Sequence, residues 1–365
     1  MEINHRRLPM RKIVLWIAVI AAILFIVVSI TELERIAAAM SRGNWLFILL
    51  AFGLQVVCLI NNSLTYQSLY RLVGLNETWR RLWLLSTAST FINMIAPSGG
   101  LVGVAVFMDA AKQRNQPTAR VMVVGILYAI YEYISLLCVV ALGFVALIRR
   151  HNITNGEIVS AFILLLLTLV LSLILYIGYR SQKQLGDLMY KMASLANRLT
   201  VRLIHRDLIQ AEKAHSLAKD IGEGIAALRG TSRELYWPLI FALNNKLLLI
   251  GVLTSIFLSL KVPFSLGTVV AGYGIAQLFF YVTPSPAGIG FVEGLFPLTL
   301  NALNVPFSMA VLITLIYRGI TLWFSFGVGF YSFRRLHRTS VENITANDRS
   351  ETGNPTNPDP SAGTQ

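Results

Sequence analysis

The sequence predicts an all-α polytopic membrane protein. Six full spans are expected, with two Pro/Gly-broken re-entrant helical hairpins arranged as an inverted repeat. Three observations lead there. Residues of the AVILMFWYC set make up 55% of the 365-residue chain and charged residues only 13%, with a mean hydropathy of +0.63. Soluble domains run at about 25% charged, so a chain this poor in charge needs lipid as its main solvent. The net charge of +13 sits between apolar runs rather than on one compact face, which points to membrane topology and away from nucleic acid. Finally, two of the apolar runs carry Pro/Gly breaks at corresponding places in the two halves.

The first span, 13–30, follows Arg6, Arg7, Arg11 and Lys12. No small-residue cleavage site comes after it, so it reads as a retained helix rather than a signal peptide. Runs 45–66, 121–148, 158–179, 238–260 and 308–333 are long enough to cross a bilayer, which takes about 20 residues. With the N-terminus in the cytoplasm, the second span brings Arg71, Arg80 and Arg81 back inside. Run 83–109 has basic residues on both flanks, so the positive-inside rule makes it a hairpin that enters and leaves on the cytoplasmic side. By the same rule 266–303 begins and ends outside. In this arrangement only Arg35, Arg42, Arg149, Arg150 and Lys261 fall outside. Lys246 and Arg318 fall within spans, and the rest of the 31 Lys and Arg lie inside with both termini.

Between 180 and 236 the chain turns polar. Leu185, Leu188, Met189, Met192 and Leu195 recur at helical spacing, as do Leu217, Ile221, Ile225 and Leu228. This stretch reads as amphipathic cytoplasmic helices on an anionic lipid surface. Residues 337–365 are rich in Asn, Thr, Ser, Pro and Gly and are expected to form a disordered cytoplasmic tail.

The first break reads Pro97-Ser98-Gly99-Gly100, and the second runs from Pro284 to Gly290. Backbone left unpaired by such breaks is tolerated at membrane depth only against protein or a watery cavity. Paired breaks in two halves are the mark of a transporter-like site. The shift that carries Pro97 onto Pro286 also carries Gly99 onto Gly288, Pro117 onto Pro306 and Tyr128 onto Tyr317.

Two charges lie deep in spans. Glu132 and Arg318 each sit roughly 15–25 Å from the inner end of their helices, at about 1.5 Å per residue. Each belongs to a one-faced polar stripe: Tyr128, Glu132 and Ser135 on one helix, Thr314, Arg318 and Thr321 on the other. Two readings follow. The pair either locks the halves together, or lines a headgroup path with Arg318 on a phosphate and Glu132 on an amine or on the arginine. Asp109 and Glu293, after the two breaks, either face water or take part in binding. Lys246, beside Asn244 and Asn245, is expected to snorkel to the inner surface.

Cys58 and Cys138 lie in apolar runs and the five histidines are scattered, so neither a disulfide framework nor a metal site is expected. No nucleophile–base pair or phosphate-binding loop is present, so a non-enzymatic role without a cofactor is expected.

The residues Pro286-Ala287-Gly288-Ile289-Gly290-Phe291-Val292-Glu293-Gly294, with Tyr317-Arg318 on the next helix, resemble the signature of the lysylphosphatidylglycerol synthase transmembrane-domain family. Asn93 with Pro97-Ser98-Gly99-Gly100, followed by Glu132, resembles its first half. The family often has Gly at Ala287, Arg at Val292 and a charge near Leu101-Val102. The resemblance covers about 10–335. It implies a flippase-like domain over 1–336, in a stand-alone member that lacks the soluble aminoacyl-transferase half. Together with Asp109, which follows the first break, these motifs give an expected substrate site drawn from Asn93, Pro97, Gly99, Gly100, Asp109, Glu132, Pro286, Gly288, Gly290, Glu293 and Arg318. The function expected is movement of a polar lipid across a prokaryotic plasma membrane. The alternative is a scaffold for an envelope-lipid or polyprenyl-linked glycan enzyme, and a third reading is a membrane enzyme acting on lipid headgroups. Membrane lipids, a soluble lipid-modifying transferase and further copies of the chain are the expected partners.

Overall fold

In the computed structural model, the described residues are 34–95 except 36, then 102–148, 155–180, 222, 225, 234–283 and 285–352. The described residues are helical, with short 3-10 and π turns and no strand. In chain order the helices are α1 (Trp45–Leu72), α2 (Trp79–Ile95), α3 (Val104–Lys112), α4 (Thr118–Ile148) and α5 (Asn155–Arg180). They continue with α6 (Tyr236–Ser259), α7 (Leu266–Val282), α8 (Phe291–Ala302), α9 (Phe307–Arg318) and α10 (Phe324–Thr352).

Among the described residues, five helical segments are long and apolar enough to cross a membrane: Trp45–Leu72, Thr118–Ile148, Ile158–Ile177, Tyr236–Ser259 and Phe307–Arg338. They correspond to five of the six expected spans. The sixth, 13–30, lies outside the described residues, as does most of the amphipathic stretch 180–236. Helix α10 runs on to Thr352, past the point where the tail was expected to lose structure. Nothing from Phe330 to Thr352 breaks a helix; the next Gly and Pro are Gly353 and Pro355.

Where the hairpins are expected, a helix is followed by a shorter one: α2 then α3, and α7 then α8 with the Pro286–Gly288 turn between them; residues 96–101, between α2 and α3, lie outside the described residues. At about 1.5 Å per residue, none of these four helices covers a core roughly 30 Å thick. Asn44 Oδ1 caps α1 by accepting from the amide of Leu46, and Ser265 Oγ caps α7 by accepting from that of Thr268. Both caps satisfy backbone donors that lipid could not.

The helices α1–α4 and α6–α10 follow the same order of lengths, with α9 and α10 together in the place of α4. The packing follows the same order. Helices α1 and α6 form the most extensive pair and run antiparallel. Asn44 meets Ser259 at one end, where the Asn44 amide donates to the Ser259 carbonyl at 3.0 Å. Further along, Asn244 Nδ2 donates to Asn61 Oδ1 at 2.9 Å, and Asn61 Nδ2 donates to the Phe241 carbonyl at 2.7 Å. Helix α2 packs along α10, and α7 packs along α4. Both crossings need small residues. A Cβ on Gly329 would stand 2.5 Å from the Thr87 carbonyl oxygen, and one on Gly143 would stand 2.9 Å from Ala271 Cα.

The bundle is apolar outside and partly polar inside. Leu46, Leu49, Phe162, Leu166, Leu247 and Leu266 are exposed, whereas Ser63, Ser86, Thr87, Ser89 and Ser135 are buried. That distribution suits a lipid surround, where small and hydroxyl residues let helices approach closely.

The crossing at Gly329 predicts a local asymmetry. Gly329→Val overpacks α10 against α2 and should cost about 1–3 kcal/mol. Gly327→Val, on the same helix with open space around it, should stay within about 0.5 kcal/mol of the parent. Unfolding in detergent measures both, and equal losses would contradict the crossing.

Candidate functional site

The deepest charge on α4 is Glu132, 4% exposed. Its partner is Lys246 of α6, 2% exposed, whose ammonium donates to Glu132 Oε2. Tyr281 OH, at the end of α7, donates to the same oxygen at 3.2 Å. One carboxylate thus gathers α4, α6 and α7. This corrects two expectations. Lys246 does not snorkel, and Glu132 does not meet Arg318. Burying a lone ammonium or carboxylate costs several kcal/mol, so an inward-facing Lys on α6 takes the carboxylate that α4 turns toward it.

Arg318, at the end of α9, is 3% exposed. Its Nε donates to Glu293 Oε1, and its Nη2 donates to the Ala287 carbonyl at 3.0 Å. Glu293 is itself held, because its Oε2 accepts the Gly290 amide at 2.7 Å. The carboxylate therefore caps the N-terminus of α8, where the helix dipole favours negative charge.

The local chain is shaped for this. Pro286–Gly288 form a 3-10 turn, and Ala287, Gly288 and Gly290 have φ of +51°, +66° and +85°. Glycine takes these angles freely, whereas Ala287 is strained by roughly 1–2 kcal/mol. The turn aims the Ala287 carbonyl at the guanidinium. A π turn, Gly319–Trp323, follows Arg318 directly. Such insertions into a helix gather at functional sites.

Beside this pair lies a cavity of about 130 Å3 between the two halves. Its polar wall includes Gln55 and Asn62 of α1, Thr90 of α2 and Gln277 of α7. Tyr317, Arg318, Thr321 and Ser325 complete it from α9, the π turn and α10. Gln277 Nε2 donates to Tyr317 OH at 3.1 Å, and Gln55 Nε2 donates to Ser325 Oγ at 2.8 Å. Gln55 Oε1 and Asn62 Oδ1 are buried without a hydrogen-bond partner among the described residues.

The predicted site residues divide accordingly. Pro286, Gly288, Gly290, Glu293 and Arg318 come together at one turn. Glu132 belongs to the separate cluster with Lys246. Asn93 Oδ1 accepts the Gly103 amide at 2.6 Å, ahead of α3, much as Glu293 accepts the Gly290 amide ahead of α8. Asp109 is exposed on α3 and accepts from Gln113 Nε2 at 2.9 Å. Pro97, Gly99 and Gly100 lie outside the described residues. Sequence reasoning missed Gln55, Asn62, Gln277 and Tyr281. Uncharged polar groups inside apolar runs were the available signal. Among the described residues, no group of His, Cys, Asp and Glu could hold a metal ion.

These features define a multi-pass helical membrane protein with buried ion pairs and a polar cavity between its halves. The chain belongs to the family described as Lysylphosphatidylglycerol synthase TM region, which it matches over residues 13–329. That membership links it to lipid handling. No curated protein matches the chain significantly.

A double-mutant cycle tests the pairing. Glu132→Gln and Lys246→Met should each cost about 3–5 kcal/mol, because each strands a buried charge. The double mutant should recover most of that loss. Glu132→Gln combined with Arg318→Gln should show no such recovery. Recovery with Arg318 instead of Lys246 would contradict the geometry.

Proposed function

We propose that this protein is a flippase- or scramblase-like transporter that moves a polar lipid across the plasma membrane of a prokaryote. The observation that carries the reading is the cavity between the halves. It places Arg318 and a set of amides and hydroxyls inside a bundle whose outer face is apolar. A headgroup crossing the bilayer needs such a polar passage, while its acyl chains stay in lipid.

The reading includes an inverted repeat with two re-entrant hairpins. Three features support it: the twice-used helix order, the antiparallel α1 and α6, and the short helix pairs α2–α3 and α7–α8. Sites of this kind sit near the midplane, where broken helices meet. The placing of Arg71, Arg80, Arg81 and Arg334 to Arg338 on the cytoplasmic side, with both termini, rests on the charge bias.

Purified protein in proteoliposomes should speed the exchange of fluorescent polar lipids between leaflets. Arg318→Gln with Glu293→Gln removes both charges and so avoids a stranded one. The double mutant should keep its fold and lose at least about tenfold in rate, the loss expected when a buried wall no longer matches its guest. Exchange no faster than in protein-free vesicles would defeat the proposal. A wild-type rate in the double mutant would remove the ion pair from the passage.

A further inference from the structure

The charges and amides around the cavity specify what fits inside it. Among its wall residues Arg318 is the sole formal charge, and Glu293 neutralises it. Glu132 and Lys246 neutralise each other elsewhere and do not line the wall. The cavity therefore offers neither an uncompensated cation for a phosphate nor a free carboxylate for an amine.

What it does offer is unsatisfied amide. Gln55 is 4% exposed and Asn62 is half-buried. Each has a buried carbonyl oxygen with no partner among the described residues. A buried polar atom left unpaired costs about 1–3 kcal/mol, so an occupant that bonds to these atoms is favoured by that much at each. The oxygen and nitrogen of an amide can exchange places by a flip of the side chain. A hydroxyl both donates and accepts, so it satisfies either orientation. An ammonium can only donate, and a phosphate dianion can only accept. Arg318 Nη1 makes no hydrogen bond among the described residues and can donate to a hydroxyl oxygen. A cavity of about 150 Å3 admits benzene, a ring of six heavy atoms, so about 130 Å3 admits a group of glycerol size or the hydroxyl-bearing edge of a sugar ring.

We propose that the cavity recognises an uncharged, hydroxyl-rich headgroup, of glycosyl or glycerol type, through Gln55, Asn62 and Arg318. The inference rests on the transporter reading for its source of hydroxyls, a membrane lipid. Gln55 and Asn62, both on α1, hold one side of the ring or polyol, and Arg318 holds the other.

Three probes in proteoliposomes test the class: a fluorescent monoglucosyl diacylglycerol, a phosphatidic acid and a phosphatidylethanolamine. A fourth arm follows uptake of free glucose. The glucosyl lipid should cross at least about tenfold faster than either charged lipid, with free glucose excluded. Gln55→Leu and, separately, Asn62→Leu should each remove about tenfold of that rate. Phosphatidic acid or phosphatidylethanolamine moving as fast as the glucosyl lipid would overturn the headgroup class and leave the transporter reading intact. Uptake of glucose without the glucosyl lipid would overturn the lipid as its source. Should no lipid move, the transporter reading fails, and binding decides this proposal by itself. A diazirine-bearing glucosyl lipid in nanodiscs should label the α1 peptide that holds Gln55 and Asn62, and Gln55→Leu should suppress the label. Absence of that labelling in the wild type would overturn the proposal.

Discussion

A charge inside a lipid-facing bundle persists only where an opposite charge meets it, and two such meetings organise this protein. Lys246 on α6 reaches Glu132 on α4, with Tyr281 of α7 closing over the same oxygen. Arg318 on α9 reaches Glu293 on α8 and the carbonyl of Ala287 in the turn before it. The first pair ties helices from both halves of the chain together. The second fixes the broken segment after Pro286 onto the helix that follows. Removing one partner from such a site strands the other, so the positions of five helices depend on two contacts.

The remaining architecture fits around them. Helices α1 and α6 are joined by Asn44, Asn61, Asn244 and Ser259 rather than by apolar burial alone. Glycines at 143 and 329 let the longer helices lie close to α7 and α2. Lipid gives helices no hydrophobic drive to associate, so close packing and buried hydrogen bonds must supply the cohesion. The same scarcity makes a polar cavity between the halves conspicuous. Its amides are only partly used by the protein itself.

Much of the fold was legible in the sequence because hydropathy and charge are one-dimensional signals. The spans at Trp45–Leu72, Thr118–Ile148, Ile158–Ile177, Tyr236–Ser259 and Phe307–Arg338 announce themselves by length and by basic flanks. The break at Pro286 was legible as backbone that cannot continue a helix. The pairing of charges was not. Depth alone placed Glu132 and Arg318 at similar levels, but depth says nothing about which helix is the neighbour. Lys246 illustrates the difficulty. A lysine's long stem lets it reach back toward water, and only the packing of α6 against α4 turns this one, near the middle of α6, inward. The Arg318–Glu293 contact was closer to hand, since the two residues lie on consecutive helices. The place of Gln55 and Asn62 is in the wall of a cavity, which no linear pattern describes.

The central claim is the proposed inverted repeat, in which two halves of opposite direction meet around these buried polar groups. Helices α3 and α8 hold corresponding places in the two halves, so the loops after them should open on opposite faces of the membrane. Single cysteines at Arg114 and Asn304, in protein with Cys58 and Cys138 replaced, report this by labelling with a membrane-impermeant reagent in oriented cells. The account predicts that Arg114→Cys is labelled only after the cells are opened and that Asn304→Cys is labelled from outside in intact cells. Labelling of both positions from the same side would contradict it.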